Sequence, residues 1–206
     1  MSGYENKMRF SAREIKDLFF AWILISLAFA ILLSGGFSSL IAFNSAIIIA
    51  FGVSFFTAGI GFLLHEVMHK YVAQQYGLKA EFHAFYPMLF LAVAISFAGF
   101  IIAAPGAVFI SGFGLTRERN GKISVAGPLT NIVLAVLFLI PLLFFELSGL
   151  LLVLCSYGLT INALLAAFNM IPVMPLDGAK VLAWNKGAYF VTLIIAVGLY
   201  IGIYFV

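Results

Sequence analysis

His65-Glu66-Val67-Met68-His69 is the densest cluster of reactive side chains in this 206-residue sequence. On a helix, residues i and i+4 lie on one face, so both imidazoles can reach one tetrahedral metal ion such as zinc. The Glu beside the first His can then hold a water at the metal and take its proton. With 3 His and 6 Glu in the chain, the pattern would arise by chance in roughly one such sequence per thousand. The other reading is a polar helix end at a membrane surface, with both imidazoles spent on hydrogen bonds.

A third ligand must come from elsewhere in the chain. Asp177 is the only acidic residue after Glu146, and it lies in Asn169-Met-Ile-Pro172-Val-Met-Pro175-Leu-Asp177-Gly178, where an apolar run breaks at two prolines. Prolines free backbone carbonyls and fix a bend, and Gly178 permits a tight turn. A carboxylate there would complete a His₂Asp site and leave a fourth position for water. The competing role for Asp177 is the N-cap of a short helix beginning at Gly178.

The elements that must position these residues are membrane spans. Hydrophobic residues make up 64% of the chain and charged residues 9%, against roughly 45–50% and about 25% in soluble domains. Mean hydropathy is +1.16. A water-soluble fold of this size could not hide so much apolar surface. Eleven Lys and Arg scattered between apolar runs make no continuous basic face, so no nucleic-acid partner is expected. The lone Cys155 forbids an intrachain disulfide and reads as a small packing residue.

Apolar runs cover about Leu18–Leu33, Ser45–Leu64, Met88–Ile110, Ile123–Phe145, Leu150–Met170 and Ala188–Val206. Each approaches the ~20 residues that cross ~30 Å of hydrocarbon. The first reads as an uncleaved span rather than a signal peptide, because further spans follow. If all six crossed singly, His65 and Asp177 would face opposite sides. If Met88–Ile110 enters and returns, all eleven basic residues fall on one face, as the positive-inside rule prefers. Five crossings are therefore expected, with a cytoplasmic N-terminus and one re-entrant or membrane-embedded hairpin at 88–110. Gly99–Ile110 reads as two short β-prone pieces around a Pro105-Gly106 turn; the other reading is one Gly/Pro-kinked span.

His65–His69, the Ala126-Gly127-Pro128-Leu129-Thr130-Asn131 opening of the next run, and Asn169–Gly178 together closely resemble the site-2 protease family of intramembrane zinc metalloproteases. The likeness covers about residues 45–185, the family's three-helix catalytic core, and is to compact archaeal members without a PDZ domain. It implies that His65, His69 and Asp177 bind Zn2+, that Glu66 is the general base, and that Asn169 helps stabilise the oxyanion. A helix-interior Asn bonding a backbone carbonyl is the other reading of Asn169. The resemblance also implies a membrane-associated sheet whose edge strand pairs with substrate, placing Pro105, Gly106, Ala107 and Val108 against it. Gly127 and Pro128 would shape the following helix start, or serve helix packing. Ala179 departs from the family, where a second Gly commonly follows Asp-Gly.

The expected protein is thus a single domain, 1–206, all-α and polytopic, with about five transmembrane helices and a short β segment. Its expected activity is zinc-dependent hydrolysis of peptide bonds in transmembrane protein substrates at the cell membrane, with the site opening to the cytoplasm. The lipid bilayer is its other partner, and the chain carries no sign of an oligomeric state. A metal-ion transporter and an inactive helix-binding scaffold are the alternatives, but no internal repeat favours the former. His83 reads as an interfacial residue, Glu146 as a water-facing loop acid, and Arg117-Glu118-Arg119 as a solvated loop. Trp22, Trp184 and Tyr189 read as interfacial anchors.

Overall fold

A computed structural model describes residues 8–37, 46–101 and 105–205. In chain order the elements are α1 (Ala12–Leu33), α2 (Ala46–Gln75, with a π-helical turn at Phe55–Gly59), β1 (Lys79–Ala84), α3 (Tyr86–Ser96), β2 (Gly106–Ser111), α4 (Arg117–Phe144), α5 (Gly149–Asn169), α6 (Asp177–Trp184) and α7 (Lys186–Gly202, ending in a 3-10 turn). Five of these helices, α1, α2, α4, α5 and α7, are long and apolar enough to cross a bilayer. Their outer faces carry large exposed apolar side chains such as Ile48, Phe144 and Ile194, which lipid rather than water would accept. The chain is an all-α polytopic membrane protein with one small β ribbon.

α1 and α4 start about six residues earlier than their apolar runs because polar caps initiate them. The Ser11 hydroxyl accepts from the Glu14 amide at 3.1 Å while the Glu14 carboxylate accepts from the Ser11 amide at 3.4 Å, a reciprocal cap that opens α1. Thr116 caps α4 by accepting from the Arg119 amide at 3.2 Å. Arg117-Glu118-Arg119 therefore begins a helix instead of forming a loop. Gly127 and Pro128 correspondingly sit inside α4 and not at its start.

α2 widens just before the HExxH segment. The Trp22 indole donates to the Phe55 carbonyl at 3.2 Å, and the two rings stack with centroids 4.1 Å apart. A π turn loosens the regular i→i−4 ladder, and α1 thus supplies a donor there. Trp22 is accordingly a helix–helix contact and not an interfacial anchor. Tyr189 is buried with Met170 and Val181, and Trp184 lies against Gly121, so packing claims those two as well.

The 88–110 segment does not form one span. α3 has 11 residues, about 16 Å at 1.5 Å per residue, half of what a crossing needs. β2 follows it, as the β-prone pattern suggested, but with a different partner. Pro105-Gly106 is not a hairpin turn: Gly106–Ser111 pairs antiparallel with Lys79–Ala84, from Lys79 opposite Ser111 to Ala84 opposite Gly106. The first β-prone piece falls partly on residues 102–104, outside the described residues.

α4 runs through the middle of the bundle, against α2, α5 and α6. One end gathers the N-termini of α1, α4 and α7, the C-terminus of α2, the ribbon and α6. There the Arg9 amide donates to the Gln74 side chain at 3.2 Å, and the Arg119 guanidinium lies 5.3 Å from the Tyr76 ring centre. Every described Lys and Arg lies on segments of this end.

Candidate metal centre

His65 and His69 project from α2 toward α4, and Asp177 reaches them from the first turn of α6. Leu176 occupies the N-cap position, so Asp177 is free of that duty. Its Oδ2 lies 3.3 Å from His65 Nε2 and 3.1 Å from His69 Nε2, and the two Nε2 atoms are 3.0 Å apart. Ligands at 2.0–2.1 Å from a tetrahedral zinc stand about 3.3 Å from one another. The donor set therefore fits a zinc ion in chemistry and in spacing, and these three residues could hold a metal ion. All three are buried.

The orientation of each imidazole follows from its other nitrogen. His69 Nδ1 lies 2.8 Å from the Ile123 carbonyl. A carbonyl only accepts, so Nδ1 carries the proton and neutral Nε2 keeps its lone pair for a metal. His65 Nδ1 lies 2.6 Å from Asn131 Oδ1. The Asn131 amide is fixed in that sense because its nitrogen donates to the Gly61 carbonyl at 3.1 Å and to Asn162 Oδ1 at 3.0 Å. Asn162 in turn donates to the Gly158 carbonyl at 2.9 Å. The chain of donors leaves Asn131 Oδ1 only one role, accepting from His65. Asn131→Ala should weaken zinc binding about 10- to 100-fold, measured by competition with a chromophoric chelator.

Burial alone would disfavour the charged Asp177 carboxylate, but positive charge at the two imidazole Nε2 positions, a proton's or a metal's, outweighs it and holds the group well below the usual carboxylate range. Lys180, three residues on, stands 3.6 Å from Asp177 Oδ1. One carboxylate oxygen thus faces the histidines and the other a cation. Gly127 of α4 faces both rings: a Cβ there would fall 2.5 Å from each Nε2. Its missing side chain leaves the room that a metal would need.

Glu66, His65, His69 and Asp177 border a cavity of about 470 Å³ that is also lined by Pro105, Gly106, Ala107 and Val108. Glu66 and Val108 line this cavity together, and α2 packs against β2. β2 is therefore laid directly across the face of the site.

A chain of Methanocaldococcus jannaschii provisionally named a zinc metalloprotease is 42% identical over 178 residues, 86% of this chain and 87% of the relative. The chain belongs to this zinc metalloprotease family. A second zinc metalloprotease of that archaeon is 29% identical over 139 residues, 65% of this chain but 34% of the relative. A provisionally named zinc metalloprotease of Bacillus subtilis is 30% identical over 140 residues, 60% of this chain and 64% of the relative. No protein-family model and no solved structure matches the chain.

Within this metalloprotease, the expected metal, catalytic and substrate residues all line one cavity, with a qualification at Asn169. Asn169 lines it, but its amide nitrogen donates to the Leu165 carbonyl at 2.9 Å, the helix-interior bond of its alternative reading. His83 stays outside, on β1, edge-on to Phe109 with centroids 5.3 Å apart. Glu146 is exposed and Cys155 is buried in α5. Asn162 and the roles of Asn131, Gly127 and Lys180 escaped the sequence reading. The two asparagines had a legible signal, since an amide within an apolar span is costly unless partnered.

Proposed function

We propose that the protein is a site-2-type intramembrane endopeptidase that hydrolyses peptide bonds of transmembrane protein substrates. The observation that carries this reading is a His₂Asp donor set with an adjacent Glu, facing a cavity edged by a β strand, inside a bundle of bilayer-length helices. His65, His69 and Asp177 would hold the zinc ion, which when bound supplies Lewis acidity toward water and the scissile carbonyl. Glu66 takes the proton of the attacking water and returns it to the leaving amine. Asn169, released from Leu165, can donate to the developing oxyanion.

A transmembrane helix hides its carbonyls in its own hydrogen bonds, so a substrate must unwind to be cut. β2 offers replacement partners. The Phe82 and Ala84 amides point away from β2, toward α1; by register, Val108 and Gly106 opposite them point away from β1. An extended substrate laid along this edge passes Glu66. The gathering of basic residues at the site's end of the bundle supports a multi-pass protein of the cell membrane, with the N-terminus and the site opening to the cytoplasm.

The test is cleavage of single-span substrates by purified protein in detergent or liposomes. Chelation should abolish cleavage and stoichiometric zinc restore it. Cleavage that survives complete metal removal would refute the reading.

A further inference from the structure

The outer edge of β1 is closed by side chains that the hydrolytic mechanism does not use. The Phe82 amide donates to Glu14 Oε1 at 2.9 Å, and the Ala84 amide to Asp17 Oδ2 at 3.2 Å. Asp17 Oδ1 also accepts from the Tyr86 hydroxyl at 2.7 Å. Lys70 Nζ bridges Glu14 Oε2 at 2.5 Å and the Ala80 carbonyl at 3.0 Å. Residues 80, 82 and 84 are the alternate positions whose backbone groups face away from β2, and together these contacts take three of the bonds a further strand would make. Glu14 and Lys70 are 1% and 2% exposed, and Asp17 is 5% exposed. Burying such charges is costly unless they are paired, so the cluster has a geometry to maintain.

That geometry leads to the metal centre. Lys70 follows His69 directly, and so ties the site's own helix to the ribbon. Glu14 holds Phe82, Phe82 lies opposite Val108, and Val108 lines the cavity beside Glu66. The links from α1 to β2 are thus a hydrogen bond and a strand register, and β2 borders the same cavity as the general base.

We propose that Glu14 and Asp17, with Lys70, are positioning residues that close β1 to incoming peptide and lock the ribbon against α2, so that substrate pairs with β2 alone and in one register relative to Glu66. The inference rests on the reading that substrate adds to the β2 edge. It assigns α1 a part in choosing the scissile bond, although α1 supplies no group to the metal centre.

Two variants test it: Asp17→Asn, and the double Glu14→Gln/Lys70→Gln, which removes both members of the ion pair together. Hydrogen exchange over 79–84, which needs no substrate, should become faster in both while zinc content stays at the wild-type level. Product masses should show one cut bond in the wild type, and in the variants additional cuts displaced by two residues, the strand repeat. A purely structural role would lower the amount of active enzyme without moving the cut. Unchanged exchange would overturn edge closure, and faster exchange with a single unmoved cut would overturn the register claim. If the double variant loses zinc and helicity, Asp17→Asn, which leaves the ion pair intact, decides both points. A wild-type protein that cuts no membrane substrate would refute the protease reading and the register claim with it, while the exchange measurement still decides edge closure.

Discussion

Glu66→Gln is expected to keep zinc at wild-type stoichiometry and to lose about 10²- to 10⁴-fold in kcat, the range for removing a positioned general base. The amide has the same shape as the carboxylate, so the lining of the cavity beside Val108 should be kept. Glu66 is not one of the three convergent donors, so metal content should not change. What Gln cannot do is take a proton from water and hand it on. KM should therefore move little while kcat collapses. Single-turnover cleavage, read beside elemental analysis for zinc, separates this from misfolding, which would lower both. Full activity in Glu66→Gln would remove Glu66 from the mechanism.

How much of this could be read from the residues depends on the range of the interaction concerned. HExxH is local, and helix periodicity alone puts both histidines on one face. Asp177 was reachable because acids are scarce after Glu146 and because prolines break the run around it. The spans were legible because apolar length is a bulk property. The ribbon's pairing was not: Lys79 and Ser111 lie 32 residues apart across α3, and nothing near Pro105-Gly106 announces so distant a partner. A Pro-Gly pair is a strong local turn signal, and here tertiary pairing overrides it. Glu14 and Asp17 stand in a polar stretch of mixed charge ahead of the first apolar run; only the fold reveals that they are buried against β1. Trp22, Trp184 and Tyr189 misled for a related reason, since an aromatic at a span end serves packing as readily as an interface.

Gly127→Ala is expected to abolish zinc loading while leaving the helix bundle folded, an outcome opposite to what helix propensity predicts. In the interior of a helix, Ala is favoured over Gly by about 1 kcal/mol, so α4 itself should gain. The added methyl, however, would sit 2.5 Å from His65 Nε2 and from His69 Nε2, and 2.6 Å from His65 Cε1. Imidazoles at a helix surface could ordinarily swing aside. These cannot do so cheaply, because Asn131 holds His65 at 2.6 Å and the Ile123 carbonyl holds His69 at 2.8 Å. Either both rings leave the donor set or two buried hydrogen bonds break, and each outcome removes metal affinity. A loss of at least about 100-fold in zinc binding, roughly 2.7 kcal/mol, is expected. Gly198→Ala in α7, where a Cβ meets nothing within 4 Å, supplies the control: the same propensity gain, with zinc binding unchanged. Thermal unfolding in metal-free detergent should match or exceed the wild type for Gly198→Ala and fall below it, while staying cooperative, for Gly127→Ala, since lost buried hydrogen bonds outweigh the propensity gain. If Gly127→Ala binds zinc as the wild type does, the space in front of α4 is not where the metal sits, and the His₂Asp assignment falls with it.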